Sequence, residues 1–139
     1  MDERLLATYR RTDYRVRLPG GGTVCLRVDA PVPAELQPWI GTAPWGLITA
    51  WHPGSQPAPV AVNRAAQRRL LAALLAEPGT RRILAAAGVG ADGWREPSLL
   101  AIGTAQASLR RLALAHDQLA YLAGTGMGPV QLMWTGQLT

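Results

Sequence analysis

One short apolar segment constrains the fold of this 139-residue chain more than any other. Residues 45–51 (WGLITAW) are mostly apolar, and residues 52–55 (HPGS) follow them as a turn signal. An apolar run of this length that ends at proline and glycine is typical of a buried strand. We therefore predict a strand over residues 45–52, with the downstream elements packed on it and polar residues gathered at its end.

The composition indicates a globular chain of one domain. Apolar residues make up 48% of the sequence and charged residues 17%, a balance that excludes the disordered class. The single cysteine, Cys25, excludes an internal disulfide, and its place in an alternating strand is typical of a small packing residue. No apolar stretch approaches the roughly 20 residues that cross a bilayer. The opening MDER lacks a signal-peptide apolar region, so we expect a cytoplasmic protein.

The basic charge is a poor indicator of the partner class. The net charge is +5, and every basic residue is an arginine, which together with abundant Ala, Gly and Pro is typical of a high-GC coding bias. The arginines are spread along the chain, without the interleaved aromatic residues of single-strand binders. One local cluster, Arg15, Arg17 and Arg27, falls on the outer face of a predicted hairpin. It is either an anion-binding patch or a solvated face that protects an exposed sheet.

Residue periodicity divides the chain into an N-terminal part, residues 1–43, and a core, residues 44–135. The first part contains a helix or extended arm up to residue 11, a hairpin of strands 14–18 and 23–28, and a proline-rich connection. After its first strand, the core contains a helix over 63–77, a hairpin of strands 83–89 and 97–102, a helix over 104–117, and a closing hairpin of strands 119–123 and 129–134.

The two core helices have predicted caps and faces. Asn63 and Thr104 are the predicted N-caps, because each precedes a run with helical periodicity. In the helix over 63–77, we expect Arg64, Gln67 and Arg68 to face solvent. The predicted buried stripe of that helix consists of Leu70, Leu71, Leu74 and Leu75.

The element order of the core, strand-helix-strand-strand-helix-strand, predicts a fold of the α+β class. With an antiparallel hairpin and a right-handed crossover, the simplest packing is a ferredoxin-like βαββαβ sheet, mainly antiparallel, under two helices. With the N-terminal hairpin added, we expect a two-layer sandwich that forms a single domain over residues 1–139. Residues 88–90 (GVG) lie in a hairpin, so they are no dinucleotide-binding fingerprint.

This topology brings polar residues from distant parts of the sequence to one edge of the sheet. The strand over 97–102 runs antiparallel beside the strand over 45–52, so one begins where the other ends. The converging set is His52, Ser55, Asn63, Glu96, Ser98, His116, Asp117 and Gln118. Convergent polar groups beside an apolar sheet are typical of a ligand pocket. We therefore predict a catalytic carboxylate, Glu96, with these ligand-binding residues: Thr49, His52, Ser55, Asn63, Ser98 and Gln118.

Each of these side chains also has a purely structural interpretation. His52 can hydrogen-bond its own loop, Asn63 can serve only as a helix cap, and Glu96 can pair with a nearby arginine. His52, Glu96 and His116 would form a two-histidine, one-carboxylate metal set, but their spacing matches no recognised ligand motif. We therefore predict neither a metal site nor an organic cofactor.

The chain contains a distinctive set of residues and segments: Tyr9, Tyr14, residues 47–55 (LITAWHPGS), Asn63, residues 92–98 (DGWREPS) and Gln118. This set resembles the bacterial domain-of-unknown-function 3293 family, from about residue 5 to residue 134. The most specific pieces are Thr-Ala-Trp-x-Pro-x-Ser and Trp-x-Glu-Pro-Ser. Members typically carry Asn in place of His52 and Phe-Gly-Gln in place of residues 116–118. The resemblance implies functional weight on Glu96, Asn63, Ser55 and Gln118, rather than on the histidines, and it implies no particular reaction.

Three hypotheses for function follow. The first is a domain that binds a small polar ligand at the end of the strand over 45–52, or an enzyme that uses Glu96 there as a general base. The second is a nucleic-acid-associated accessory protein that uses Arg15, Arg17 and Arg27. The third is a homodimer or partner-binding module that uses the sheet face and its tryptophans. We favour the first, because the polar residues collect at one place and the arginines do not.

Overall fold

A computed structural model describes residues 3–136, apart from the side chain of Ser55. The described helices are α1 (Glu3–Arg11), α2 (Gln37–Ile40), α3 (Val60–Ala76) and α4 (Gln106–Ala115). The described strands are β1 (Asp13–Arg17), β2 (Thr23–Leu26), β3 (Pro44–Ile48), β4 (Arg82–Val89), β5 (Arg95–Ile102), β6 (Ala120–Thr125) and β7 (Gln131–Trp134). This mixture of helices and antiparallel strands confirms the predicted α+β class. The ends of the predicted domain, residues 1–2 and 137–139, lie outside the described residues.

Strand β3 lies inside one curled, antiparallel sheet. The strand order is β2-β1-β4-β5-β3-β6-β7, and the sheet forms a half-barrel. Leu47 of β3 pairs with Leu100 of β5 on one side and with Leu122 of β6 on the other. Because β1 pairs with β4, the N-terminal hairpin extends the sheet of the core strands.

Helices α3 and α4 cover one face of this sheet. Leu70 of α3 and Leu109 of α4 are fully buried against Ile48 and its neighbours. Gly46 of β3 allows α4 to approach closely, because a Cβ at this position would lie 2.5 Å from Cδ1 of Leu109. The helix contact therefore depends on a glycine in the central strand.

The opposite, concave face of the sheet carries a second apolar cluster. Trp45 is fully buried there, and its indole N–H donates a hydrogen bond to the carbonyl of Gly126 at 3.0 Å. The connection between β2 and β3 packs on this cluster through Leu36 and Ile40. The Tyr9 ring of α1 contacts the Trp134 ring of β7 edge-on, with centroids 5.8 Å apart. Apolar packing thus continues on both faces, and α1 belongs to the concave side.

Strand β3 is shorter than the predicted strand over residues 45–52. It ends at Ile48, because the next backbone groups bond to side chains instead of to strands. The Ala50 N–H donates to Oε1 of Gln67 at 2.8 Å, and the Trp51 N–H donates to Oγ1 of Thr49 at 3.0 Å. His52 then adopts a left-handed conformation with φ of 47°, which turns the chain out of the sheet.

The two predicted helix caps are wrong. Helix α3 begins at Val60 after Pro59, so Asn63 lies inside the first turns and its amide bonds the preceding loop. Helix α4 begins at Gln106, and the Thr104 hydroxyl instead bonds the Thr80 hydroxyl at 2.6 Å.

The predicted buried stripe of α3 is also too wide. Leu70 and Leu74 are buried, whereas Leu71 and Leu75 are 36% and 63% exposed. Residues four apart share one helix face, so a single row contacts the sheet and the adjacent leucines turn away from it. None of the described helices is long and apolar enough to span a membrane.

Candidate functional site

A cavity of about 330 Å³ lies between α1 and the concave face of the sheet. Its size falls within the range of small-molecule sites, which is roughly 300–1,000 Å³. Helix α1 contributes Leu5, Thr8 and Tyr9. The sheet and its loops contribute the rest of the lining: Thr12, Tyr14, Leu47, Thr49, His52, Gly88, Trp94, Arg95, Glu96, Ser98, Gln118, Ala120, Tyr121 and Leu122.

The strand register places Tyr14 and Glu96 on either side of Gly88. Tyr14 of β1 pairs with Gly88 of β4, and Gly88 pairs with Glu96 of β5. Residues directly opposite each other in a sheet point to the same face. Gly88 has no side chain, so the Tyr14 ring and the Thr12 methyl group can lie close to its backbone, each 3.5 Å from where a Cβ would be. This register creates the floor of the cavity.

Glu96 faces the cavity without a protein partner. Among the described residues, its carboxylate makes no hydrogen bond and no ion pair. Burial raises the pKa of Glu96 from its usual 4.5 to about 7, because a charged carboxylate loses solvation there. The predicted alternative, an ion pair with a neighbouring arginine, is not formed. Arg95 is adjacent in sequence, but successive strand residues point to opposite faces.

Two tyrosines share the electrostatic environment of Glu96. Burial and then the Glu96 charge raise the pKa of Tyr9 to about 12. The pKa of Tyr14 is also raised, by burial first, and then by Tyr9 and Glu96. Both phenols therefore remain protonated at neutral pH, as hydrogen-bond donors rather than phenolates.

Hydrogen bonds fix the orientation of His52. Its Nδ1 accepts from the Ala58 N–H at 3.2 Å, and a backbone N–H can only donate. The neutral ring therefore carries its proton on Nε2. His and Asn are both enriched among residues with positive φ, so the left-handed φ of 47° suits either side chain at this position. His52 lines the cavity with one ring nitrogen committed to its own loop.

Asn63 acts behind the cavity wall rather than in it. The side chain is fully buried and is not among the residues that line the cavity. Its Oδ1 accepts from the His52 N–H at 3.0 Å, and its Nδ2 donates to the Ala58 carbonyl at 3.2 Å. Asn63 therefore holds the two ends of the loop that presents His52.

Gln67 is a positioning residue that the sequence analysis missed. Besides accepting from Ala50, its Nε2 donates to the Pro97 carbonyl at 3.2 Å, which ties the end of β3 to β5. The Thr49 hydroxyl donates to the same carbonyl at 2.8 Å, so this cavity residue is already engaged. The expectation that Gln67 faces solvent was wrong. The available signal was its spacing of four residues from Asn63, which places both amides on one helix face.

Gln118 and Ser98 present polar atoms to the cavity. Nε2 of Gln118 donates to the carbonyls of Trp51 and His116, both at 3.2 Å. Because both partners are acceptors, the amide atom that bonds them is the nitrogen. The Oε1 atom is then left without a partner among the described residues. The Ser98 hydroxyl makes only a long bond of 3.4 Å to the Glu96 carbonyl.

Besides Asn63, two members of the predicted convergent set, His116 and Asp117, do not line the cavity. His116 follows α4, and its carbonyl shares the Gln118 amide with that of Trp51; burial first and then Arg69 lower the pKa of its side chain. Asp117 is exposed, with a φ of 53°. The side chain of Ser55 lies outside the described part of the chain. Among the described residues, no group of three metal-ligating side chains forms, and the His52–Glu96–His116 set is not assembled.

The three hairpin arginines of the nucleic-acid hypothesis are partly neutralised. Arg15 lies 3.8 Å from the Asp13 carboxylate, and Arg27 forms an ion pair with the same carboxylate. Arg17 is exposed at the end of β1. One carboxylate thus serves two of the three guanidinium groups.

Comparison with known proteins decides the family. The model of the family described as "Protein of unknown function (DUF3293)" matches residues 48–121, more than half of the chain. The chain belongs to this family. The DUF3293 match includes Thr49, His52, Glu96, Ser98 and Gln118, but it excludes α1 and β1, which supply Tyr9 and Tyr14. No curated protein and no solved structure matches the chain.

Proposed function

We propose that this protein binds a small organic molecule in the cavity under α1, with the Glu96 carboxyl as the central polar contact. One observation carries the proposal: a carboxyl with a pKa of about 7 faces a cavity of about 330 Å³ and has no partner among the described residues. An unpartnered, partly buried carboxylate costs folding free energy, and groups of this kind cluster at sites where a ligand or a reaction uses them.

The surrounding groups supply complementary contacts. Nε2–H of His52 is a donor, whereas Oε1 of Gln118 is an acceptor, and the Ser98 hydroxyl can act as either. Leu5, Leu47 and Leu122 provide apolar walls. Such a cavity suits a ligand with an apolar body and a few polar groups at one end.

Glu96 also has the acidity that general acid–base catalysis needs. A group whose pKa lies near the working pH transfers a proton efficiently in either direction. If the protein is an enzyme, Glu96 is the residue we assign to proton transfer, and His52 and Gln118 orient the substrate. Burial alone raises the pKa of Glu96, since no charged neighbour contributes to the shift.

The core fold provides the frame for this site. We propose that β3 to β6, together with α3 and α4, form a ferredoxin-like unit. The sheet order β4-β5-β3-β6 and the placement of both helices on one face support this assignment. On this view the N-terminal hairpin and α1 are additions that build the cavity on the face that the helices leave free.

The cavity is better supported than the two other hypotheses for function. The nucleic-acid hypothesis loses weight because Asp13 pairs with Arg15 and Arg27. The homodimer hypothesis stays a prediction that size measurement in solution would test.

A ligand screen by thermal shift tests the proposal. A compound present at about a hundred times its dissociation constant stabilises the fold by about 2.7 kcal/mol. We expect at least one small organic compound to stabilise the wild type and not Glu96→Gln. Glu35→Gln is the matched control, because it removes a carboxylate from an exposed residue that does not line the cavity. Compounds that stabilise the wild type, Glu96→Gln and Glu35→Gln equally would contradict the proposed site.

A further inference from the structure

The carboxyl and the guanidinium that line the cavity are not paired with each other. Among the lining residues, six side chains can titrate or carry charge: Tyr9 from α1, Tyr14 from β1, His52 after β3, Arg95 and Glu96 from β5, and Tyr121 from β6. Of these, only Glu96 supplies a negative charge at neutral pH, because the three phenols remain protonated.

Arg95 does not balance that negative charge. The guanidinium makes no ion pair with Glu96, and its charge is not a cause of the shifted Glu96 pKa. Arg95 also lines a separate surface groove with Trp51 and Arg68, as expected for a side chain that alternates away from Glu96. Among the described residues, the Glu96 carboxylate is therefore not paired with a counter-charge, although Arg95 is one of the lining residues and the chain as a whole has a net charge of +5.

Aromatic rings line the same cavity as this carboxyl. Tyr14 lies across Gly88 from Glu96, the Glu96 charge acts on Tyr9 of α1, and Trp94 precedes Glu96 by two residues. The faces of tyrosine and tryptophan rings attract cations through the negative centre of the ring. A carboxylate without a counter-ion, set among aromatic rings, is complementary to an organic cation.

We propose that the ligand of this cavity is an organic monocation, an amine or a guanidine carried on an apolar body, whose charged group binds Glu96 among Tyr9, Tyr14 and Trp94. This inference rests on the proposed function, since it names the chemical class that the same cavity binds. An ammonium has donors and no acceptors, so the Gln118 Oε1 and the Ser98 hydroxyl suit its remaining N–H groups. The His52 Nε2–H suits an acceptor elsewhere on the same molecule.

The direction of the pH dependence separates this ligand class from a neutral one. A cation binds the ionised form of Glu96, so its affinity rises with pH as the carboxyl loses its proton. With a pKa near 7, the ionised fraction increases about tenfold between about pH 6 and about pH 8, and the affinity should follow it. A neutral ligand that accepts a hydrogen bond from the protonated carboxyl gives the opposite slope.

Matched probe series provide the test. Amines and guanidines such as benzylamine and benzamidine are compared with alcohols and carboxylates of the same shape, such as benzyl alcohol and benzoate. Binding is measured by ligand-observed NMR and calorimetry at up to about 10 mM probe, the range expected for fragments. We expect a cationic probe to bind about tenfold or more tightly than its neutral counterpart, and more tightly at the higher pH.

Two variants tie the result to the cavity. Glu96→Gln should remove the preference for the cation and its pH dependence, whereas Glu35→Gln should keep both. Trp94→Leu should weaken the cation several-fold and its neutral counterpart less, and it should fold because Trp94 is 39% exposed.

The outcomes separate this inference from the proposed function. If neutral or anionic compounds bind through Glu96 equally well or better, or if affinity falls as the pH rises, the ligand is not a cation and only this inference fails. The same holds if no cationic probe binds while another class does. If no compound of any class binds the wild type, the proposed function fails as well.

Discussion

Tyr14 and Glu96 flank the same glycine from opposite sides: Gly88 pairs with Tyr14 in β1 and with Glu96 in β5. The Glu96 charge contributes to raising the pKa of Tyr14, although no hydrogen bond between the two is formed. The phenol, the glycine and the carboxyl line the same cavity, and the glycine adds no side chain to it. The candidate site thus depends on register as much as on the polar residues themselves.

The first prediction concerns that glycine. A Cβ at Gly88 would lie 3.5 Å from Cγ2 of Thr12 and Cε1 of Tyr14, which is an ordinary contact. Gly88→Ala should therefore fold, with stability unchanged or raised by about 0.5 kcal/mol, because alanine loses less backbone entropy than glycine. Ligand affinity should fall, because the methyl group enters the cavity. Urea unfolding and calorimetry measure the two effects.

Gly79→Ala is the matched contrast for this substitution. A Cβ at Gly79 would lie 2.6 Å from the Gly103 carbonyl oxygen, which is backbone and cannot move aside easily. This variant should lose stability. Equal destabilisation by both alanines would show that position 88 does not accommodate a methyl group.

The second prediction concerns the stability of the fold as a function of pH. Glu96 has a folded pKa of about 7, above its usual 4.5, so the unfolded chain loses this proton first as the pH rises. The contribution of Glu96 to stability is fully present below about pH 4.5 and is lost as the pH rises through 7. As the pH rises through this range, the free energy of unfolding of the wild type should fall by up to about 3 kcal/mol relative to that of Glu96→Gln.

Urea unfolding of both proteins at several pH values measures that difference. Glu35→Gln removes an exposed carboxyl, and its stability should change with pH as the stability of the wild type does. If the free energies of unfolding of wild type and Glu96→Gln differ by a constant amount from pH 4.5 to pH 8, the carboxyl is solvated in the folded protein.

The third prediction concerns Asn63. Asn63→Ala leaves the His52 N–H and the Ala58 carbonyl without their partners beside a buried position. Each unsatisfied buried group costs about 1–3 kcal/mol, so we expect a total loss of about 3 kcal/mol. Hydrogen exchange at the His52 amide should accelerate. Asn63→Asp keeps an oxygen acceptor for the His52 N–H, so that amide should stay protected. If the His52 amide exchanges equally fast in Asn63→Ala and Asn63→Asp, the assigned bond between His52 and Asn63 is contradicted.

The fourth prediction concerns the contact between β3 and α4. Gly46→Ala places a Cβ against the buried Leu109 side chain, and overpacking of this kind costs about 1–3 kcal/mol. Leu109→Ala alone should also destabilise, by leaving a cavity. The double variant should be more stable than the sum of the two losses predicts, as measured by a double-mutant cycle in urea. Simple additivity would mean that the two residues do not compete for the same space.

The sequence predicted the elements that depend on local pattern. The alternation over residues 14–18 and the turn signal at Asp92-Gly93 correspond to β1 and to the β4–β5 hairpin. Glu96 was predicted as the central carboxyl from the convergence of polar residues at one sheet edge, and in the structure it lines a cavity.

The features that the sequence did not reveal depend on tertiary packing. Helix α1 was expected as a helix or an arm, and nothing in its pattern indicated that it covers the concave face. The backbone at His116 does reach the loop that carries His52, because Gln118 bonds the carbonyls of both Trp51 and His116, but the His116 side chain does not line the cavity. Leu71 and Leu75 are as apolar as Leu70 and Leu74, and only the orientation of α3 decides which pair is buried.

The most direct test of the central claim is an NMR titration of the Glu96 carboxyl carbon in the wild-type protein, assigned by comparison with Glu96→Gln. The claim is that this carboxyl lies unpaired in a cavity and changes its charge near neutral pH. We predict a midpoint of about 7, and a shift of this midpoint to lower pH when a bound cation stabilises the carboxylate. A midpoint near the usual 4.5 would show that Glu96 is solvated or paired, and would contradict the proposed site.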